Sequence, residues 1–268
     1  MGNGIYLFCF TRHGLLPAIE RTGMDGKNPV FLRRFQDVVA VLCRVAPEEF
    51  CGPSAESRMK DLSWVGPRAC RHEEVVEEVM RYCPVLPARF GTIFSSMGSL
   101  EKRLKEHHGA ISQFLDEVAD KEEWAVKGLV DTIRAKEELL STMLAGEAEH
   151  LSSLSPGMRY FKQQRLRAGA DKELNRLLKE TCKGVANDLG RYASDFSEHR
   201  VLSRDATGLD MDMVLNRAFL VPRDSADDFR ARLGQANADC ERHGLVFQLS
   251  GPCPPYSFCP SLETESGA

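Results

Sequence analysis

Hydrophobic and polar residues alternate along this chain in blocks that predict short strands and amphipathic helices. Residues 4 to 10, GIYLFCF, form a β-rich apolar run that predicts a buried strand, followed by a glycine-rich loop to about residue 28. Two further apolar runs, 29 to 35 and 37 to 45, are separated by little more than Gln36 and Asp37, the signature of a β-hairpin. Gly66 and Pro67 then fit the cap and first turn of a helix reaching about Tyr82, with Ala69, His72, Val76, Val79 and Cys83 on its apolar face. Pro84 ends that helix, because proline lacks the amide donor and disfavours helical geometry in the residue before it. VLPARFGTIF (85 to 94) follows as a strand, and Pro87 confines it to a sheet edge or itself to the strand's start. Ser96 caps the next helix, whose stripe is Leu100, Leu104, Ile111, Leu115 and Val118.

The second half repeats the style with longer helices. EEWAVKGLV (122 to 130) predicts a strand, and residues 131 to 155 a helical excursion. Ser155 and Pro156 open a long helix with Leu174, Leu178, Cys182, Val185, Leu189 and Tyr192 on one stripe. HRVLSR (199 to 204) and MDMVLNRAFLVPR (211 to 223) pair as strands. Asp224 or Ser225 caps a helix bearing Phe229, Leu233, Ala236 and Cys240, Gly244 stops it, and LVFQLSG is the last strand. The expected fold class is α+β in two domains of ferredoxin-like, split βαβ character. Residues 1–120 form the first, in which a loop replaces the first crossover helix. Residues 121–268 form the second, a βαββαβ unit with a helical insertion near 131–170 and a proline-rich C-terminal tail.

Composition narrows the function. A length of 268 residues, 43% hydrophobic and 28% charged, suits a globular chain able to bury a sizeable core. A net charge of −4 argues against general nucleic-acid binding, which calls for a basic face. No apolar run approaches the roughly 18 residues of a membrane span, and no positive region precedes the first apolar stretch, so a cytoplasmic chain is expected. Nine cysteines form no CxxC pair or metal-type cluster and read as reduced, packed thiols, with a redox bridge between Cys253 and Cys259 as the alternative.

Catalytic motifs are missing. No phosphate-binding loop, GxSxG elbow or HExxH pair occurs, and no cofactor or metal is implied. Adjacent His107 and His108 point in different directions on a helix, and the acidic runs 72 to 78 and 121 to 124 read as solvated faces. His72, on an apolar face, reads as a satisfied, partly buried histidine, with proton transfer as the alternative. Arg89 sits beside Phe90, so strand alternation sends the two to opposite faces, leaving Arg89 for a salt bridge or for a partner or anion contact. GPCPPYSF (251 to 258) favours extended polyproline geometry with Tyr256 and Phe258 as anchors, either onto the protein's own domain interface or onto a partner.

Four segments in order, SWVGPRACRHEEVVEEVM, CPVLPARFGTIFSS, AFLVPRDSADDFRARL and LSGPCPPYSF, resemble the successive blocks of the gas vesicle protein F/L family. Matched positions include Trp64, Pro67, Arg68 and His72, then Pro84, Pro87, Arg89, Phe90, Gly91, Thr92 and Phe94, then Gly251, Pro254, Pro255, Tyr256 and Phe258. Ala88 and Cys253 depart from the family pattern, and 131 to 170 is not covered. The resemblance implies a non-enzymatic accessory protein of gas vesicle assembly, cytoplasmic or vesicle-associated, that binds the apolar shell protein GvpA and other accessory gas vesicle proteins. The partner-binding residues expected on that basis are Arg68, His72, Arg89, Phe90, Phe94, Tyr256 and Phe258. Competing classes are a small-molecule-sensing or enzymatic ferredoxin-like protein, favoured if Arg68, His72 and Arg89 converge on a polar pocket, and a minor structural component of the vesicle.

Overall fold

The computed structural model describes residues 4–14, 16–50 and 53–262; Cys51 lies outside them. The chain divides into two compact units, one comprising residues 1–123 together with 252–268, the other 124–251. The proline-rich tail lies in the first of these units, with the N-terminal strands, where the sequence had placed it with the second domain.

In the first unit, strands β1 (Gly4–Arg12), β2 (Phe31–Phe35), β3 (Val38–Val45) and β4 (Val85–Pro87) form a sheet of order β2-β3-β1-β4, and the short β5 (Ile93–Phe94) also pairs β1. All these pairings are antiparallel. Because α3 and α4 both contact β1 and its residues are buried at successive positions, both faces must be apolar, which is why GIYLFCF does not alternate. The β2–β3 hairpin turns on Gln36 and Asp37 as expected, with Gln36 at φ +55.

Short helices α1 (Pro47–Phe50) and α2 (Pro53–Lys60) lead to α3 (Leu62–Met80). α3 begins a turn before Gly66: Asp61 is its N-cap, accepting from the Ser63 amide at 2.9 Å, a bond glycine has no side chain to make. Pro67 therefore lies inside the helix, where it forgoes the bond its amide would have made to the Ser63 carbonyl. Val75, Val76 and Val79 of α3 pack on Tyr6, Phe8 and Cys43 of the sheet. The predicted strand 85–94 is broken. Gly91 at φ +86 leaves the extended region, the Thr92 amide returns to the Arg89 carbonyl at 3.1 Å, and β4 and β5 are the two remnants. Helix α4 (Met97–Glu117) starts on Ser96 in a reciprocal capping box with Ser99 and buries Leu100, Leu104, Ile111 and Leu115.

The second unit follows the order β6 (Lys121–Val130), α5 (Thr132–Gly146), α6 (Ala148–Ser153), α7 (Pro156–Gly190), β7 (Asp195–Glu198), α8 (Arg204–Thr207), β8 (Asp212–Pro222), α9 (Ala226–Cys240), β9 (Leu245–Cys253). Its sheet runs β7-β8-β6-β9. Trp124, Val126, Leu174, Leu189, Phe219, Phe229 and Phe247 share one core.

Two expectations shift here. The partner of β8 is Asp195–Glu198, antiparallel, and not 199–204, whose Val201 and Leu202 stay exposed. β7 has almost no apolar signal of its own. It is ordered by backbone pairing with β8, by the Glu198–Arg217 ion pair, and by Arg217 lying 4.6 Å over the Phe196 ring. At α9, Ser225 makes no side-chain capping bond, and a single 3₁₀ turn, Arg223–Ser225, leads in instead. Gly244, at φ +72, ends the turn after α9 as expected.

Two glycines give opposite tests of this packing. A Cβ on Gly128 would lie 2.9 Å from Leu215 Cβ, whereas one on Gly184, inside α7, would meet nothing within 4 Å. Gly128→Ala should destabilise by about 1–3 kcal/mol and Gly184→Ala should stabilise by about 0.5–1 kcal/mol, read as shifts in urea midpoint at constant m-value.

Candidate functional site

The two proline-rich segments meet in the first unit. Pro84 accepts a 2.7 Å hydrogen bond from Thr11 Oγ1, and β4 then pairs Cys9 with Pro87 along the open edge of β1. Proline at the end of an edge strand leaves no ladder donor missing. The Ala88 amide closes onto the Phe8 carbonyl at 2.9 Å and the chain enters the Arg89–Thr92 turn.

Beneath that turn lies a buried polar chain. The Ala88 carbonyl can only accept, so His72 Nε2 carries the proton and donates to it at 3.1 Å. His72 Nδ1 then accepts from the Tyr6 hydroxyl at 2.9 Å, and that hydroxyl accepts from the Gly91 amide at 3.1 Å. Both rings are fully enclosed, and Phe8 stacks on His72 at 5.7 Å. Burial lowers the His72 pKa to about 4, the Ala88 bond opposing it, and the Tyr6 phenol is raised well above its ordinary value by the same desolvation. His72 is therefore a neutral strut for the turn, inside the protein.

The tail comes back over the same region. Tyr256 donates to Glu73 Oε2 at 2.9 Å, and Ser257 donates its amide and hydroxyl to the Glu123 carboxylate at 2.9 and 2.6 Å. Glu123 is only 6% exposed and Glu73 is half-buried, so these acids are not the solvated face their sequence suggested: runs of acids look alike whether or not a distant strap covers them. Burial, reinforced by Glu77 and Glu123, raises the Glu73 pKa against the opposing Tyr256 bond. Arg103 Nη1 holds the Leu262 carbonyl at 2.5 Å. Cys253 and Cys259 are free thiols; Cys259 sits 3.3 Å from the Pro255 carbonyl, and burial pushes its pKa up to about 12.

Turn, β1, β5, α4 and tail enclose a groove of about 430 Å³. Leu7, Phe10, Leu86 and Phe94 give it an apolar floor, while Arg89, Arg103 and Tyr256 stand at its polar positions. Of the residues expected from sequence, Arg89, Phe94 and Tyr256 are thus brought together. Arg68 is not. It stacks on Trp64, 4.2 Å from the ring, and faces Glu49 at 3.6 Å. Phe90 turns inward, its ring 6.1 Å from His72, and Phe258 is half-buried in a 3₁₀ turn. Arg89 and Phe90 do not alternate as strand neighbours, because Gly91 has made their backbone a turn. Arg68, His72 and Arg89 do not converge on one polar pocket. Arg103 escaped sequence reading, since nothing local marks a helix-surface arginine as the anchor of a tail 159 residues away.

This architecture, mixed α/β with two antiparallel sheets, is that of solved gas vesicle proteins. The crystal structure of GvpF from Anabaena sp. matches with a TM-score of 0.71 at 16% identity, covering 97% of this chain and 99% of that one. GvpF from Microcystis aeruginosa matches with a TM-score of 0.67 at 18% identity, covering 96% and 99%. In sequence, gas vesicle protein F of a Streptomyces species is 31% identical over 96% of this chain and 99% of its own, and gas vesicle protein L of the same source is 26% identical over 97% and 94%. The family model described as gas vesicle synthesis protein GvpL/GvpF matches residues 4–260, and the chain belongs to that family. Its role is gas vesicle-related.

His72 binds fewer protons in the folded than in the unfolded state between about pH 4 and its ordinary value near 6.5. Its contribution is complete above that window and is lost as pH falls through it, on the order of 3 kcal/mol. Chemical denaturation from pH 7 to 4 should show that loss, and His72→Phe should flatten it. Tyr6→Phe, which leaves His72 Nδ1 and the Gly91 amide unpaired, should cost about 1–3 kcal/mol at pH 7 by the same measurement.

Proposed function

We propose that this protein is a non-enzymatic assembly factor of gas vesicles that holds the apolar shell protein GvpA, or other gas vesicle proteins, in the groove of its first unit. The observation that carries the reading is the convergence of two proline-rich segments, 84–94 and 252–262, on one groove with an apolar floor and arginines among its polar residues. A very apolar subunit in water is stabilised by any surface that covers its apolar area, and the arginines orient what binds. The buried titratable pair, Tyr6 and His72, is committed to holding the turn, which favours a binding role over proton transfer. Exposed β2 at the sheet edge offers a place for an added strand.

Both sheets place their own second, third, first and fourth strands in that order, which supports reading each unit as a ferredoxin-like split βαβ sandwich. No helix among the described residues is long and apolar enough to cross a membrane. The proposed location is the cytoplasm, at the growing vesicle.

The test is co-precipitation of purified full-length chain with intact GvpA. Arg89→Glu and Phe94→Ser should each weaken capture by roughly tenfold or more, with thermal midpoints checked to confirm folding. Undiminished capture by both folded variants would remove the groove from the reading. Failure to capture GvpA while a second gas vesicle protein is retained would make the protein an adaptor.

A further inference from the structure

We propose that the first half of α7 is a second docking surface, one that takes an acidic polypeptide segment. α7 is 35 residues long, but Ala170 is its first buried residue, so about 20 Å of helix precedes the part packed in the unit's core. One side of this first half is occupied. Arg159 donates to the Leu151 carbonyl at 2.8 Å and Lys162 pairs with Glu147 at 3.4 Å.

The rest of the circumference carries large, exposed side chains on two lines. Met158, Tyr160 and Phe161 are 58%, 59% and 70% exposed, and the two aromatic rings meet edge to face at 6.1 Å. Helical spacing aligns Met158 and Phe161 with Arg165, and Tyr160 with Arg167, and both arginines are exposed. From Gly157 to Ala170 the sequence contains four basic residues and no acid, in a chain whose total charge is −4, and the next acid, Asp171, one turn beyond Arg167, is paired with Lys136 of α5 at 2.6 Å.

Aromatic side chains beside arginines match a peptide that alternates carboxylates with apolar residues: the planar guanidinium takes a carboxylate through two parallel hydrogen bonds, and the rings cover the apolar positions. An anionic bilayer fits less well. Interfacial helices need a broad apolar face, and here three large apolar side chains lie on two separate lines. α7 lies wholly in the second unit and the groove in the first.

The test uses the full-length chain and a fluorescein-labelled peptide of alternating Glu and Leu, its Gln-for-Glu counterpart, and phosphatidylserine vesicles. The Glu peptide should bind with affinity that falls steeply with salt; the Gln peptide should bind at least roughly tenfold more weakly, and Arg165→Gln with Arg167→Gln should produce a similar loss for the Glu peptide. Tyr160→Ser with Phe161→Ser should weaken it comparably. These positions are exposed, so thermal midpoints should stay unchanged. Equal binding of the two peptides, no binding of the Glu peptide, or arginine variants that bind it normally would overturn the proposal. Vesicle binding lost in the arginine variants without peptide binding, or sedimentation showing self-association lost in those variants, would overturn it in favour of a lipid surface or a second copy.

Discussion

The first unit depends on a polar chain sealed inside an otherwise apolar layer: Gly91 amide to Tyr6 hydroxyl, Tyr6 hydroxyl to His72, His72 to Ala88 carbonyl. An enclosed hydroxyl or imidazole without partners costs more than its hydrogen bonds contribute, so a fully paired chain fixes one geometry and rejects others. Here it ties β1 and α3 to the turn between β4 and β5. The turn is therefore held from within the core, although its residues lie at the surface.

The tail is fixed by the same logic with charge added. The Glu123 carboxylate is enclosed and receives both donors of Ser257, while Glu73 receives Tyr256. Two acids that would be costly to bury alone become the seats of a strap. The expected extended polyproline geometry gives way to a strand end at Cys253 and a 3₁₀ turn at Tyr256–Phe258, closed by the Phe258 amide on the Pro255 carbonyl at 3.2 Å, and proline's fixed φ limits the freedom lost when such a strap docks. Turn and strap together form two walls of the groove, and its shape is inherited from buried polar pairing.

The second unit is organised differently. Its core is apolar, centred on Phe219, Phe229 and Leu189, and its insertion departs from that core along α7. The groove of the first unit, apolar with arginines among its polar positions, and the first half of α7, with exposed aromatic and basic side chains, are chemically unlike.

Element types were largely legible in the sequence wherever side-chain period and local capping carried the information. The β1 run, the hairpin at Gln36–Asp37, the Ser96 cap, the stripes of α4 and α7 and the stop at Gly244 all rest on interactions within a few residues. The two proline-rich segments and three of the groove's residues, Arg89, Phe94 and Tyr256, also stood out. What local pattern could not supply was pairing at a distance. β7 exists because β8 is beside it, and Gly91 bends the chain because Tyr6 receives its amide. Glu123 is enclosed and Glu73 half-buried beneath a tail more than a hundred residues later, and the same tail gives Arg103 its role. Periodicity records which face of an element turns inward; only the tertiary structure decides which distant donor meets which acceptor there.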